Sequence, residues 1–191
     1  MKASLLTGED RKAAIDVIRK NHYTRSVSSA KSYFFYFDGA YVVFSIPANK
    51  NIAKFVLGFP GITWELSRMW APDGHRKNLL TQAISLSVKK LIKIETGIDA
   101  LVSYADPNVG HEGFVYRAAS WIFHGQSEEG RYYVDESGRV FARRKFHSGS
   151  RFLKKAEILS LGYKELRRPG KLRFYRPISK RAKKLQPTCR W

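Results

Sequence analysis

The stretch from Ile62 to Ala105 constrains the fold more than any other. In ITWELSRMW (62–70), Ile62, Trp64 and Leu66 alternate with Thr63, Glu65 and Ser67, the period of a strand with one buried face. From Asn78, the residues Leu80, Ile84, Val88 and Leu91, with Leu79, Ala83 and Ile92, recur at helical spacing to about Ile94. Gly97 closes that helix, and 99–105 reads as a second strand. Strand, helix, strand implies a parallel pair joined by a right-handed crossover. Open sheets built on such units hold ligands at the carboxyl ends of their strands.

The flanking segments extend this into an α/β domain. Thr7 is placed to cap a helix whose first turn carries Glu9 and Asp10 and which stops near Asn21. In YFFYFDGAYVVFSI, an Asp-Gly pair between aromatic and β-branched runs predicts a hairpin over 33–46. Further expectations are a strand over 54–58, a short helix over 113–119 and a strand over 120–124. A hairpin around 131–145 turning at Glu-Ser-Gly, a helix over 151–161 ending at Gly162 and an extended 163–178 complete them. With no internal repeat or low-complexity linker, residues 1–178 read as one domain and 179–191 as a basic tail.

Charge narrows the partner. There are 35 Lys+Arg against 16 Asp+Glu, a net +19, and residues 139–191 hold 18 of the cations and only Glu157 and Glu165 as acids. Interleaved with Phe141, Phe146, Phe152, Tyr163, Phe174, Tyr175 and Trp191, this block suits a polyanion: cations meet phosphates and rings stack on unpaired bases. Arg143, Arg144, Lys145, Lys154, Lys155, Arg167, Arg168, Lys180, Arg181, Lys183 and Lys184 are the candidate contacts to double-stranded DNA. No apolar run approaches the roughly 20 residues of a membrane span, and no signal-peptide stretch is evident. The single cysteine, Cys189, leaves no disulfide framework or cysteine zinc site and suits a reducing cytoplasm.

Residues 103–116 concentrate titratable groups where the second strand of the unit ends: Ser103, Tyr104, Asp106, His111, Glu112 and Tyr116. Asp106 is able to orient an amine or accept a proton, or to cap the Asp-Pro turn. Tyr116 opens a helix and either acts through its hydroxyl or packs its ring. His111 reads as a base, a metal ligand or a turn residue. Arg68, by alternation on the face of Trp64 and Leu66, requires an anionic partner: Glu65, Asp106 or a bound anion. His22 and Tyr23 follow the first helix, and Asn78 and Thr81 begin the long one, where helix capping is the alternative to binding a donor.

The element order is similar to that of the GNAT acyltransferase superfamily, which has a mixed central sheet flanked by helices. The segment LVSYAD…GHEGFVYRAASWIFHG (101–125) resembles the Mom proteins of Mu-like phages, as do NHY (21–23), ELSRMW (65–70) with Asn78, and KLRFYRPI (171–178). The resemblance implies a transferase that converts the exocyclic amine of adenine in DNA to a carbamoylmethyl derivative and so protects phage DNA from restriction. It implies catalytic roles for Asp106, Tyr116, Arg68, His22 and Tyr23, with Tyr116 protonating the leaving group as tyrosines do in GNAT enzymes. Asn78, Thr81, Ser103 and His111 fall to the donor, and an iron-like centre from His22, Tyr23, Asp106 and His111 is a minor alternative.

One departure concerns the donor. The usual GNAT turn, Arg/Gln-x-x-Gly-x-Gly/Ala, cradles pyrophosphate on backbone amides, whereas APDGHRKNLLT (71–81) has only Gly74. Mom-like sequences share this lack, commonly with serine where this chain has Thr81. An acyl-CoA, a glycine derivative and an aminoacyl carrier therefore all remain as donors. The rival readings are an N-acetyltransferase acting on a protein or small amine, and a non-catalytic basic DNA-binding protein.

Overall fold

The structure is a computed structural model that describes residues 2–148 and 150–185, the side chain of Arg144 excepted. In chain order it contains β1 (Ser4–Leu6), α1 (Gly8–Asn21), β2 (Ser32–Phe37), β3 (Ala40–Ser45), α2 (Ile52–Leu57), β4 (Ile62–Trp70), α3 (Leu79–Ile94) and β5 (Ile98–Ala105). There follow α4 (Phe114–Ala118), β6 (Ile122–Gln126), β7 (Gly130–Val134), β8 (Val140–Ala142), β9 (His147–Ser148), β10 (Arg151–Phe152), α5 (Lys155–Ser160), β11 (Lys164–Arg168), β12 (Leu172–Pro177) and α6 (Lys180–Lys184). The central sheet runs β1-β2-β3-β4-β5-β12-β6, and only β4 and β5 pair in parallel. The expected mixed sheet flanked by helices is therefore present.

Sequence periodicity places the layers. Leu79, Ala83, Ile84, Val88 and Leu91 bury one stripe of α3 against Phe35, Phe44, Trp64, Leu66 and Leu101. The opposite sheet face is covered in two places, by α1 through Ala14 and Ile18 over Phe34 and Val43, and by α2 and α6 over Ala100, Val102 and Tyr175. Asp38 and Gly39 turn the β2–β3 hairpin with φ of 50° and 87°, the left-handed pair the Asp-Gly signal demands.

Several local expectations are corrected. Residues 52–57 form a helix, not a strand, with Ile52, Ala53, Val56 and Leu57 buried and Gly58 ending it at φ 75°. The helix expected over 151–161 begins only at Lys155, because Arg151 and Phe152 pair with β9. Ile62, expected inside, is exposed, while Thr63 is buried. Thr7 stands at the start of α1, but its side chain makes no capping bond. The extended 163–178 is two strands in different sheets, β12 lying between β5 and β6. Within 179–191, residues 180–184 are helical with Ala182 buried, and 186–191 lie outside the described residues.

A second sheet, β11-β7-β8, continues the antiparallel pair β6 and β12. At the junction Ser127 N–H donates to Lys171 O, Lys171 N–H donates to Ser127 Oγ, and Gln126 Nε2 donates to Gly170 O, all at 2.8 Å. Only glycine fits at 170, since a Cβ there would stand 1.8 Å from Ser127 O. The small sheet is thus an arm projecting from the edge of the domain.

Candidate active-site cleft

The parallel pairing runs from Ile62 opposite Ile98 to Leu66 opposite Ser103 and then stops. Beyond it β4 keeps pairing with β3 as far as Trp70, and β5 with β12 as far as Ala105. Parting the strands opens a cleft of about 550 Å³ at their carboxyl ends, within the range of ligand pockets. The loop after α1 forms one wall (His22, Tyr23, Ser26). Glu65, Arg68 and Tyr104 line it from the strands, and His111, Tyr116 and Lys171 complete it.

Arg68 reaches this cleft through an irregularity that alternation does not reveal. Leu66 pairs with Phe44 but Arg68 with Val43, so Ser67 is an extra residue and the strand rotates there. Arg68 thereby shares the face of Val43, not that of Trp64 and Leu66. Its guanidinium donates to Ser26 O, to Ser26 Oγ at 3.1 Å and to Ser67 O.

Sequence reasoning names Glu65 only as a candidate partner of Arg68, not as a site residue in its own right. Glu65 reads as the polar half of an alternating strand, but its face of β4 forms a wall of the cleft, so the side chain is half-buried there. Burial raises its pKa above the usual carboxylate value, with Arg68 and Lys171 pulling the other way. A strand position opposite Ser45 and beside Val102 was the available signal, legible only once the sheet order is known.

The loop after α1 contributes aromatic rings. His22 and Tyr23 stack at 4.5 Å between centroids, and Tyr23 meets His111 edge-on at 5.2 Å. Thr24 N–H donates to His22 Nδ1 at 3.2 Å, which puts the neutral ring's hydrogen on Nε2. Burial, reinforced by the charges of Arg68, His111 and Lys171, lowers the His22 pKa from 6.5 to about 4. His22 is thus an uncharged imidazole at neutral pH. Burial and the Asp106 charge raise the Tyr23 pKa, so its hydroxyl stays protonated.

Asp106 follows β5 directly and is buried. Its Oδ1 accepts from Asn108 N–H at 3.0 Å and Asn108 Nδ2 at 2.9 Å, and Lys171 Nζ lies 3.5 Å from Oδ2. Burial acts to raise its pKa, but the Asn108 bonds and Lys171 outweigh this and the net shift is downward. The capping reading is the one the structure shows: Asp106 caps its turn, and it also holds Lys171 beside the cleft. Ser103 is fully buried, and its hydroxyl ties the parting strands by donating to Leu66 O at 2.8 Å. Gly113, at φ 80°, admits Phe174 where a Cβ would come within 2.3 Å of its ring, and this close packing seats Tyr116 against Phe174 and Trp121. Burial pushes the Tyr116 pKa up to about 12, a hydrogen bond with Ser103 opposing it.

Other candidates lie apart. Asn78 (φ 64°) and Thr81 stand at the start of α3, where Thr81 borders a separate 250 Å³ hollow with Phe37 and Gln82. Lys155 and Arg167 both pair with Glu165, the latter at 3.3 Å, and Arg168 lies over the Tyr132 ring at 5.4 Å. Lys145 covers Phe141 at 4.2 Å, and Arg143 and Lys154 are exposed. The side chain of Arg144 lies outside the described residues. Arg181 stacks on Phe59 at 3.8 Å, with Lys180, Lys183 and Lys184 exposed on the same short helix. Among the described residues no three His, Cys, Asp or Glu side chains are placed to hold a metal ion. With Asp106 engaged by Asn108 and Lys171, the set His22, Tyr23, Asp106 and His111 does not fit an iron centre, and no step is assigned to one.

Residues 6–189 match the Mom protein family. The chain belongs to that family. Over 71 residues it is 34% identical to the methylcarbamoylase mom of Escherichia phage Mu, a match spanning 37% of this chain and 30% of that protein's length. Among solved structures, a Bacillus subtilis acetyltransferase in complex with CoA is 9% identical over 93% of this chain and 99% of its own, with a TM-score of 0.47. The ribosomal-protein-S18-alanine N-acetyltransferase of Escherichia coli is 14% identical over 93% and 94%, with a TM-score of 0.49. Among the described residues no helix is long and apolar enough to cross a membrane.

Proposed function

We propose that this Mom-family protein is a DNA-modifying transferase that converts the exocyclic N6 of adenine to a carbamoylmethyl-type derivative, protecting phage DNA from restriction. The observation that carries the reading is one cleft uniting a half-buried carboxylate, Glu65, whose pKa burial raises, with a mouth of aromatic rings, beside a strongly basic arm. Reaching N6 inside a duplex requires flipping the base out, and His22, Tyr23 and His111 offer ring surfaces to receive it.

The chain's own residues then have distinct tasks. N6 forms a bond to the donor carbon, the leaving group departs with its electron pair, and one amine proton passes to Glu65. A base whose pKa lies nearer neutrality than an ordinary carboxylate suits that transfer. Tyr116, protonated up to about pH 12, supplies a proton to the leaving group. Arg68 and Lys171 give the cleft the positive charge that an anionic donor needs, whether acyl-CoA, glycine-derived or aminoacyl; Asp106 holds Lys171 in place.

Mass analysis of nucleosides from plasmid DNA tests the assignment. Cells expressing the protein should yield an adenosine heavier by the transferred group, absent with an empty vector. Unmodified DNA in cells containing the folded protein rules the assignment out, and an acetyl increment on protein instead would favour an N-acetyltransferase.

A further inference from the structure

We propose that duplex DNA lies on one face only of the β11-β7-β8 arm, the face bearing Tyr132, Lys164 and Arg168, while an adenine occupies the cleft. The inference rests on the DNA reading above and adds where the duplex runs.

Register divides the arm's basic residues between two faces. Tyr133 pairs with Glu165 and Phe141, and α5 covers this side through Ile158, with Phe146, Leu153 and Tyr163 filling the layer. Its cations are largely spoken for: Lys155 and Arg167 both meet Glu165. On the other face Tyr132 pairs with Leu166 and Ala142, Val134 with Lys164 and Val140, and Gly130 with Arg168. Among its paired strand residues that face has two cations and no carboxylate, and their apolar members join none of the hydrophobic clusters among the described residues.

The base of the arm adjoins the cleft. Tyr132 lies across Gly130, where a Cβ would be 2.6 Å from its ring, with the Arg168 guanidinium 5.4 Å from the ring centre. Tyr132 stands near enough to Tyr23 at the cleft mouth to be the smallest of the influences on its pKa. At the base of the arm Lys171 lines the cleft itself. A face whose paired strand residues include two cations and a ring and no carboxylate, beyond the exposed Glu128 and Glu129 at the base of the arm, matches the backbone flanking a base held in the cleft. From Lys171 to Lys164 is at most about 23 Å at roughly 3.3 Å per residue, or about seven base pairs.

The test compares single charges on opposite faces. Affinity for a short duplex is measured against salt for the parent protein, Lys164→Ala, Arg168→Ala and Arg131→Ala, Arg131 being exposed on the α5 side. Lys164→Ala and Arg168→Ala should each lower the slope of log K against log salt by about 0.9, one phosphate contact, and Arg131→Ala should leave it unchanged. Lys164→Glu, a change at an exposed position, should weaken binding further without moving the melting temperature. Equal effects from both faces, or a larger one from Arg131, overturn the inference while leaving the DNA reading intact. No duplex binding by the parent protein overturns both.

Discussion

Two regions of this protein are rich in lysine and arginine but differ in position. The arm leaves the domain at the carboxyl end of β5, where Lys171 touches Asp106 and the cleft opens. Helix α6 lies at the other end. Strand β12 runs antiparallel to β5 and carries the chain back, so Ser179 caps α6 beside Asp99, its hydroxyl 2.8 Å from the Asp99 carboxylate. Asp99 and Ala105 are six residues apart on one strand, roughly 20 Å. On the proposed function, charge at the arm is available to DNA whose base is in the cleft, whereas charge at α6 acts from a distance and is screened beyond about 10 Å at 0.1 M salt. A run of lysines and arginines announces a polyanion, but topology decides which of them meet it.

The harshest way to break this comparison is at the hinge of the arm. Gly170→Ala puts a methyl against Ser127 O and Glu128 O, backbone atoms that cannot turn aside. Overpacking of this kind costs about 1–3 kcal/mol, or roughly 2–12 °C of melting temperature for a chain of this length. Modification should fall with it, because the arm and Lys171 move together. Calorimetry beside nucleoside analysis checks this, and an unchanged melting temperature would mean the hinge is looser than its packing indicates.

A middle-sized effect compares the two basic regions directly. Replacing Lys180, Arg181, Lys183 and Lys184 by Ala should weaken duplex binding at low salt. Per charge removed, the loss of salt slope should be smaller than for Lys164→Ala, and salt-titrated affinity measures both. A larger loss per charge would move the DNA to α6.

The smallest effect concerns the cleft wall. The His22 pKa is lower in the fold than the ordinary 6.5, so the folded state prefers the neutral ring. That contribution to stability is present above pH 6.5 and is lost as pH falls toward about 4. Unfolding curves from pH 7 to pH 4 should therefore decline more steeply for the parent than for His22→Gln. Parallel curves would show that the ring is not withdrawn from water.

What the sequence made legible is the parallel β4-α3-β5 unit and the hairpin at Asp38-Gly39, while the family resemblance pointed to His22, Tyr23, Arg68, His111 and Tyr116, which the structure places around one cleft. These rest on local signals: periodicity, turn chemistry and motif. What it hid depends on partners distant in sequence. Residues 54–58 form too short an apolar run to separate a helix from a strand, and only the contacts of Ile52 and Val56 with Tyr175 and Ala100 decide it. The extra residue at Ser67 turned Arg68 to the opposite face. Glu65 reads only as the polar half of an alternating strand or a partner for Arg68, because alternation does not tell a cleft wall from a face open to bulk water.

Glu65→Gln tests the central claim most directly: that chemistry resides in the cleft and DNA binding on the arm. The change keeps the shape and removes the proton acceptor. Because burial raises the folded pKa, Glu65 favours the fold most below its ordinary value, and this is lost as pH rises through the raised one. At pH 8 the variant should melt no lower than the parent. Modified adenosine, duplex affinity and melting temperature are measured on the same preparations. Modification should fall by about 10²–10⁴-fold with affinity and melting temperature unchanged. Parent-level modification by Glu65→Gln would contradict the assignment of the proton transfer to this cleft.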